Sequence, residues 1–182
     1  MNPMKRAVCV LLSIFSVPVF AHAEDVGPAI ELFAARCLAE GPRFDKTVAL
    51  AKQEKWPTLA ADMAMAFTPV GEPSSIEGWV ASKGDAEPFK ALVVYKAEVA
   101  GKPVEGCTLA VSGTDANAFN GALVLRAKAK SLGEETGEDT IYKRYSAEVA
   151  GREGAITLAM PRYPKGSDQV IVSVVAQQVT DN

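Results

Sequence analysis

Apolar positions spaced three and four apart fill the first part of the chain, and apolar positions alternating with polar ones fill much of the rest. Ile30, Phe33 and Cys37 lie on one stripe between Val26 and Glu40, with Pro28 at the start and Gly41-Pro42 at the end. That spacing predicts an amphipathic helix with Cys37 on its buried face. Asp45 is expected to cap a second helix running towards Trp56, and Thr58 a third through Leu59, Met63 and Phe67. The N-terminal third therefore reads as mostly helical.

Beyond Gly71 the period shortens. Ile76 to Ser82 reads as a strand presenting Trp79. Phe89 to Ala100 and Val104 to Ser112 read as a hairpin across Gly101-Lys102-Pro103, with Cys107, Leu109 and Val111 on one face and a bulge near Gly106. Thr114 is expected to cap a helix whose stripe runs through Ala118, Ala122, Leu125, Ala129 and Leu132 to Gly133. Glu134 to Asp139 reads as an acidic loop. Thr140 to Ala150 and Ala155 to Met160 give a second hairpin, and Asp168 to Thr180 a last strand. The expected fold is α+β, an antiparallel sheet of about five strands packed against helices.

The two hairpins echo each other. Ala97-Glu98-Val99-Ala100-Gly101 returns as Ala147-Glu148-Val149-Ala150-Gly151. Convergence on a useful turn and an internally duplicated strand-hairpin unit both account for the likeness, and both give the same layers.

Ahead of the first helix stand a basic start with Lys5-Arg6, an apolar run from Ala7 to Val17, and Ala21-His22-Ala23. These are the parts of a cleavable secretory signal over residues 1–23, leaving residues 24–182 as a single soluble domain. The run is too short to span a bilayer, for which roughly 20 residues are needed. Cleavage removes Lys5, Arg6, His22 and Cys9, so that 17 of the 19 basic residues remain against 22 acidic ones, a formal charge of −5. The destination is periplasmic or otherwise secreted.

A mature chain without histidine excludes Ser-His-Asp and Cys-His catalysis and histidine-dependent metal sites. An acidic surface with no basic cluster argues against nucleic acid. Gly151-Arg152-Glu153-Gly154 lacks the pattern of a phosphate loop, and Glu134 to Asp139 lacks calcium-loop spacing, so no cofactor or metal is expected. Cys37 and Cys107 are expected to form one disulfide in an oxidising compartment.

What remains for function is aromatic and polar material at element edges. Pro161 and Pro164 brace Arg162 and Tyr163, side chains that bury area while keeping a hydrogen-bonding end, and Trp79 and Tyr145 join them as a candidate binding surface. The resulting expectation is an exported envelope or periplasmic protein that binds a partner or ligand, or acts structurally, with an envelope protein or cell-wall component as partner. The alternative is an envelope hydrolase using carboxylates or tyrosine.

Overall fold

The computed structural model describes residues 26–82, 84 and 87–179. The secretory signal predicted over residues 1–23 lies outside them. Seven antiparallel strands form one sheet in the order β1-β2-β3-β7-β6-β5-β4: β1 (Ser75–Val80), β2 (Lys90–Val99), β3 (Lys102–Thr114), β4 (Lys130–Thr136), β5 (Thr140–Val149), β6 (Arg152–Pro161) and β7 (Asp168–Gln177). Four short α-helices accompany it: α1 (Gly27–Phe33), α2 (Phe44–Gln53), α3 (Ala61–Ala66) and α4 (Ala116–Ala127). None is long and apolar enough to cross a membrane, among the described residues.

The expected five strands and mostly helical N-terminal third are thereby corrected. The sheet dominates, and of the N-terminal third the first 25 residues are not described, while α1 and α2 are short and serve as cover for the sheet. The additional strand β4 comes from a segment read as helix end and acidic loop. Helix α4 stops at Ala127 because Lys128 turns left-handed, φ 49°, and sends the chain back along β5. Its buried stripe is Ala116, Phe119 and Leu123, whereas Leu125 and Leu132 of the expected stripe are exposed. Asp115, not Thr114, caps it: the carboxylate accepts from the backbone N–H of Asn117 and of Ala118, both at 2.9 Å. Likewise α2 begins before Asp45, at Phe44, and Thr58 pairs as a bridge with Trp79 rather than capping α3.

One face of the sheet is closed by α1, α2 and α4. Ile30, Phe33, Cys37, Phe119 and Leu123 pack there on Leu92, Leu109, Ile156, Leu158 and Val172, forming the main core. The last turn of the α1 segment, Ala34–Leu38, is π-helical and carries Cys37, which is disulfide-bonded to Cys107 on β3. The expected staple between the first helix and a strand of the sheet is present.

The opposite, outer face is covered on one side only. Leu59, Ala64 and Phe67 sit over Ala91, Val93 and Ala110 of β2 and β3. No comparable layer covers β4, β5 and β6 among the described residues.

Candidate functional site

Strand pairing assembles the uncovered part of the outer face. Arg144 on β5 pairs with Thr157 on β6, Thr157 with Ser173 on β7, and Ser173 with Thr108 on β3. Residues paired across neighbouring strands share a face, so this register draws one polar row across four strands. One register step along, Tyr142, Ala159 and Ile171 form a second row. The end of α3 and the chain after it, Ala66 to Pro69, rise beside these rows as a wall. The result is an open groove of about 630 Å³.

Its floor is anchored sideways, to β2 and β3 on the same face. Thr108 donates through Oγ1 to Ser173 Oγ at 2.9 Å, and the Tyr95 hydroxyl lies 3.1 Å from the same oxygen. Tyr95 and Thr108 are fully buried. Burial pushes the Tyr95 phenol up to about 12, against the opposing pull of hydrogen bonds from Ser173 and Thr108. Deprotonation for chemistry at neutral pH is therefore unfavourable there.

On the far wall Arg144 donates through Nη2 to Glu135 Oε2 at 2.6 Å. The hydroxyls of Thr140, Tyr142 and Thr157 have no hydrogen-bond partner among the described residues, and Tyr142 is 41% exposed. The groove runs on into a shallower hollow of about 240 Å³ that shares Thr140, Ala159 and Ile171 and is bounded by Pro161.

No protein-family model, curated protein or solved structure matches the chain. The site therefore rests on its own chemistry.

The four residues expected to form a binding surface do not come together. Trp79 is 4% exposed and faces the main core, and Tyr145 is buried with its hydroxyl donating to Asn120 Oδ1 of α4 at 2.6 Å. Burial raises the Tyr145 phenol, with the Asn120 hydrogen bond acting the other way. Both rings are structural because each sits on the helix-covered face. Arg162 and Tyr163 are exposed, as expected, with the guanidinium 5.4 Å from the tyrosine ring centroid. Their loop stands at the end of the groove: the backbone N–H of Arg162 donates to Asp139 O at 2.9 Å, and Asp139 and Pro161 both line the shallow hollow.

The groove residues Glu135, Thr140, Tyr142, Arg144, Thr157 and Ser173 were not legible as a group. Each strand's alternation identifies two faces, but only the inter-strand register tells which face the helices leave open. A second hollow, of about 720 Å³, surrounds the β5–β6 turn. It is walled by turn backbone and by opposite charges at Lys128, Lys130, Glu148 and Glu153, and its Arg152 is already engaged with the carbonyls of Gln177 and Glu40.

Proposed function

We propose that this is an exported binding protein whose ligand lies along the outer face of the sheet, in the groove between the α3 wall and β5. The observation that carries the reading is the asymmetry of the sheet's cover: helices close one face, while the other keeps a concave strip of hydroxyl side chains with unused hydrogen-bonding capacity. Its volume falls in the range of roughly 300–1,000 Å³ usual for small-molecule sites. Export is supported by the buried Cys37–Cys107 pair, which an oxidising compartment favours. It is supported as well by the basic, apolar and Ala-His-Ala order of the first 23 residues.

The test places a photo-crosslinking amino acid at Ala66, exposed on the groove wall, and, in a separate variant, at Leu125 on the solvent side of α4. Irradiation in intact cells is expected to give adducts from position 66 and none from position 125. Equal capture from both positions, or none from 66 in a protein with unchanged melting, rejects the groove as the binding surface.

A further inference from the structure

We propose that the groove recognises a neutral, polyhydroxylated ligand, an oligosaccharide chain, and that Tyr142 and Thr157 read it above the buried Ser173 of the groove floor. This rests on the reading of the groove as a binding site and names its ligand class.

The charge balance comes first. Arg144 and Glu135 are the groove's charged groups, and they pair with each other at 2.6 Å. A charged ligand competes with this solvent-exposed pair for the same groups. A neutral ligand leaves it intact and still meets its remaining donors and acceptors.

Hydrogen-bonding capacity is the second argument. A serine hydroxyl has one proton and two lone pairs, three positions in all. Ser173 uses two of them, on Thr108 and Tyr95. If it accepts from both, its proton is left over; if it donates to Tyr95, a lone pair is left over. A ligand hydroxyl satisfies either case because it too donates and accepts. Thr140, Tyr142 and Thr157 repeat the same dual capacity along the groove, with no protein partner among the described residues.

Shape supplies the third. Tyr142 pairs across the strands with Ala159, whose small side chain leaves the ring uncovered, and an aromatic ring exposed this way accepts the apolar C–H face of a sugar while its hydroxyl bonds at the edge. The groove continues past Thr140 into the shallower hollow, which suits a chain of rings better than a single one.

The test uses the isotopically labelled mature chain and two probe sets: neutral hexasaccharides (maltohexaose, cellohexaose and the β-1,4-linked hexamer of N-acetylglucosamine) and a charged one, hexagalacturonate. Amide spectra are expected to show saturable shifts at residues 142, 157, 171 and 173 with at least one neutral hexasaccharide, and weaker ones with the uronate. Thr157→Val and Tyr142→Ala should each weaken that binding tenfold or more at unchanged melting temperature. Thr157→Ser should restore it, since the hydroxyl returns. The proposal is overturned if all neutral hexasaccharides leave these amides unmoved, if the uronate binds more tightly, or if Thr157→Val binds normally. With unmoved amides or tighter uronate binding, continued crosslinking from position 66 retains the groove with a ligand of other chemistry, whereas silence there defeats both readings; normal binding by Thr157→Val strikes Thr157 from the recognition set and overturns the proposal as stated.

Discussion

The ring of Tyr95 fills the space above Gly106, its partner on the neighbouring strand, where any side chain would collide with it. The glycine is thus required by a cross-strand contact and not by a bulge, since the pairing from Lys90↔Val111 to Val99↔Lys102 runs without a register shift. Gly106→Ala should therefore destabilise the protein by about 1–3 kcal/mol through overpacking. Chemical denaturation measures it directly. An alanine variant as stable as the parent would mean that the ring moves aside, and Ser173 would lose one of its two hydroxyl partners in the process.

Alkaline titration examines the same ring from another direction. The Tyr95 phenol, pushed up to about 12 by burial, stays protonated in the folded chain at pH values where the unfolded chain has begun to ionise near 10. The unfolded state then binds fewer protons, so stability falls as pH rises from about 10 to 12 and is unaffected by this group below that window. Two pKa units correspond to about 3 kcal/mol. Tyr145, also raised, contributes in the same direction. Tyr95→Phe should flatten the decline when urea midpoints are compared at pH 9 and pH 11.5, and an undiminished decline would assign it to other groups.

Cys37 and Cys107 are fully buried and 70 residues apart in sequence. In the loop-entropy model a crosslink over such a span contributes about 4 kcal/mol. Peptide mapping without reductant should recover the two cysteines joined, and dithiothreitol should reduce them slowly in buffer but rapidly in urea. Rapid reduction of the native protein would show that the α1 segment opens far more readily than its packing on β3 suggests.

The amphipathic spacing of Ile30, Phe33 and Cys37 and the alternation of Cys107, Leu109 and Val111 were legible because each reflects packing against one layer. Strand β4 was not. All seven of its residues are exposed, so no apolar alternation marks it, and it is held as a strand by pairing with β5 and by Lys143–Glu134 and Arg144–Glu135 ion pairs across the two strands. Trp79 and Tyr145 were misplaced for a related reason: a strand's pattern states that two faces differ without stating which one helices will cover. The groove row of Thr108, Arg144, Thr157 and Ser173 is a property of register across four strands, β3 lying far in sequence from the other three.

The repeated pentapeptides illustrate both sides of this. Ala100-Gly101 and Ala150-Gly151 adopt the same two-residue turn, with φ 51° and 74° in the first and 51° and 73° in the second. Two positive φ values suit the right-handed twist of a hairpin. Yet the copies face opposite ways, Ala97 packing with Tyr95 on the outer face and Ala147 in the main core. An alanine in the left-handed region is strained by roughly 1–2 kcal/mol. Ala100→Asn and Ala150→Asn should each recover about 1 kcal/mol, because asparagine tolerates that conformation. Thermal unfolding of the single and double variants checks this, with additive gains expected for turns at separate hairpins.

Asp168 ties the exposed Arg162-Tyr163 loop to the body of the fold. It is 6% exposed, and its carboxylate accepts from the backbone N–H of Lys165 at 2.8 Å, of Gly166 at 3.2 Å and of Ala116 at 3.4 Å. One side chain thereby joins the β6–β7 loop to the first residue of α4. Hydrogen bonds to a charged acceptor contribute about 1.5–3 kcal/mol, and truncation would strand several donors at once, so Asp168→Ala should destabilise the chain by about 3 kcal/mol. Asp168→Asn keeps an acceptor oxygen and should lose less. The local consequence is as informative as the global one: amide exchange at Lys165 and Gly166 should accelerate in both variants even under conditions where Ile156 and Val172 in the core remain protected. Arg162→Ala with Tyr163→Ala should do the reverse, leaving stability within about 0.5 kcal/mol because both side chains are solvent-facing. Unchanged exchange at Lys165 in Asp168→Ala would show that the loop is held by Pro161 and Pro164 alone, and the carboxylate would then be a brace for α4 only.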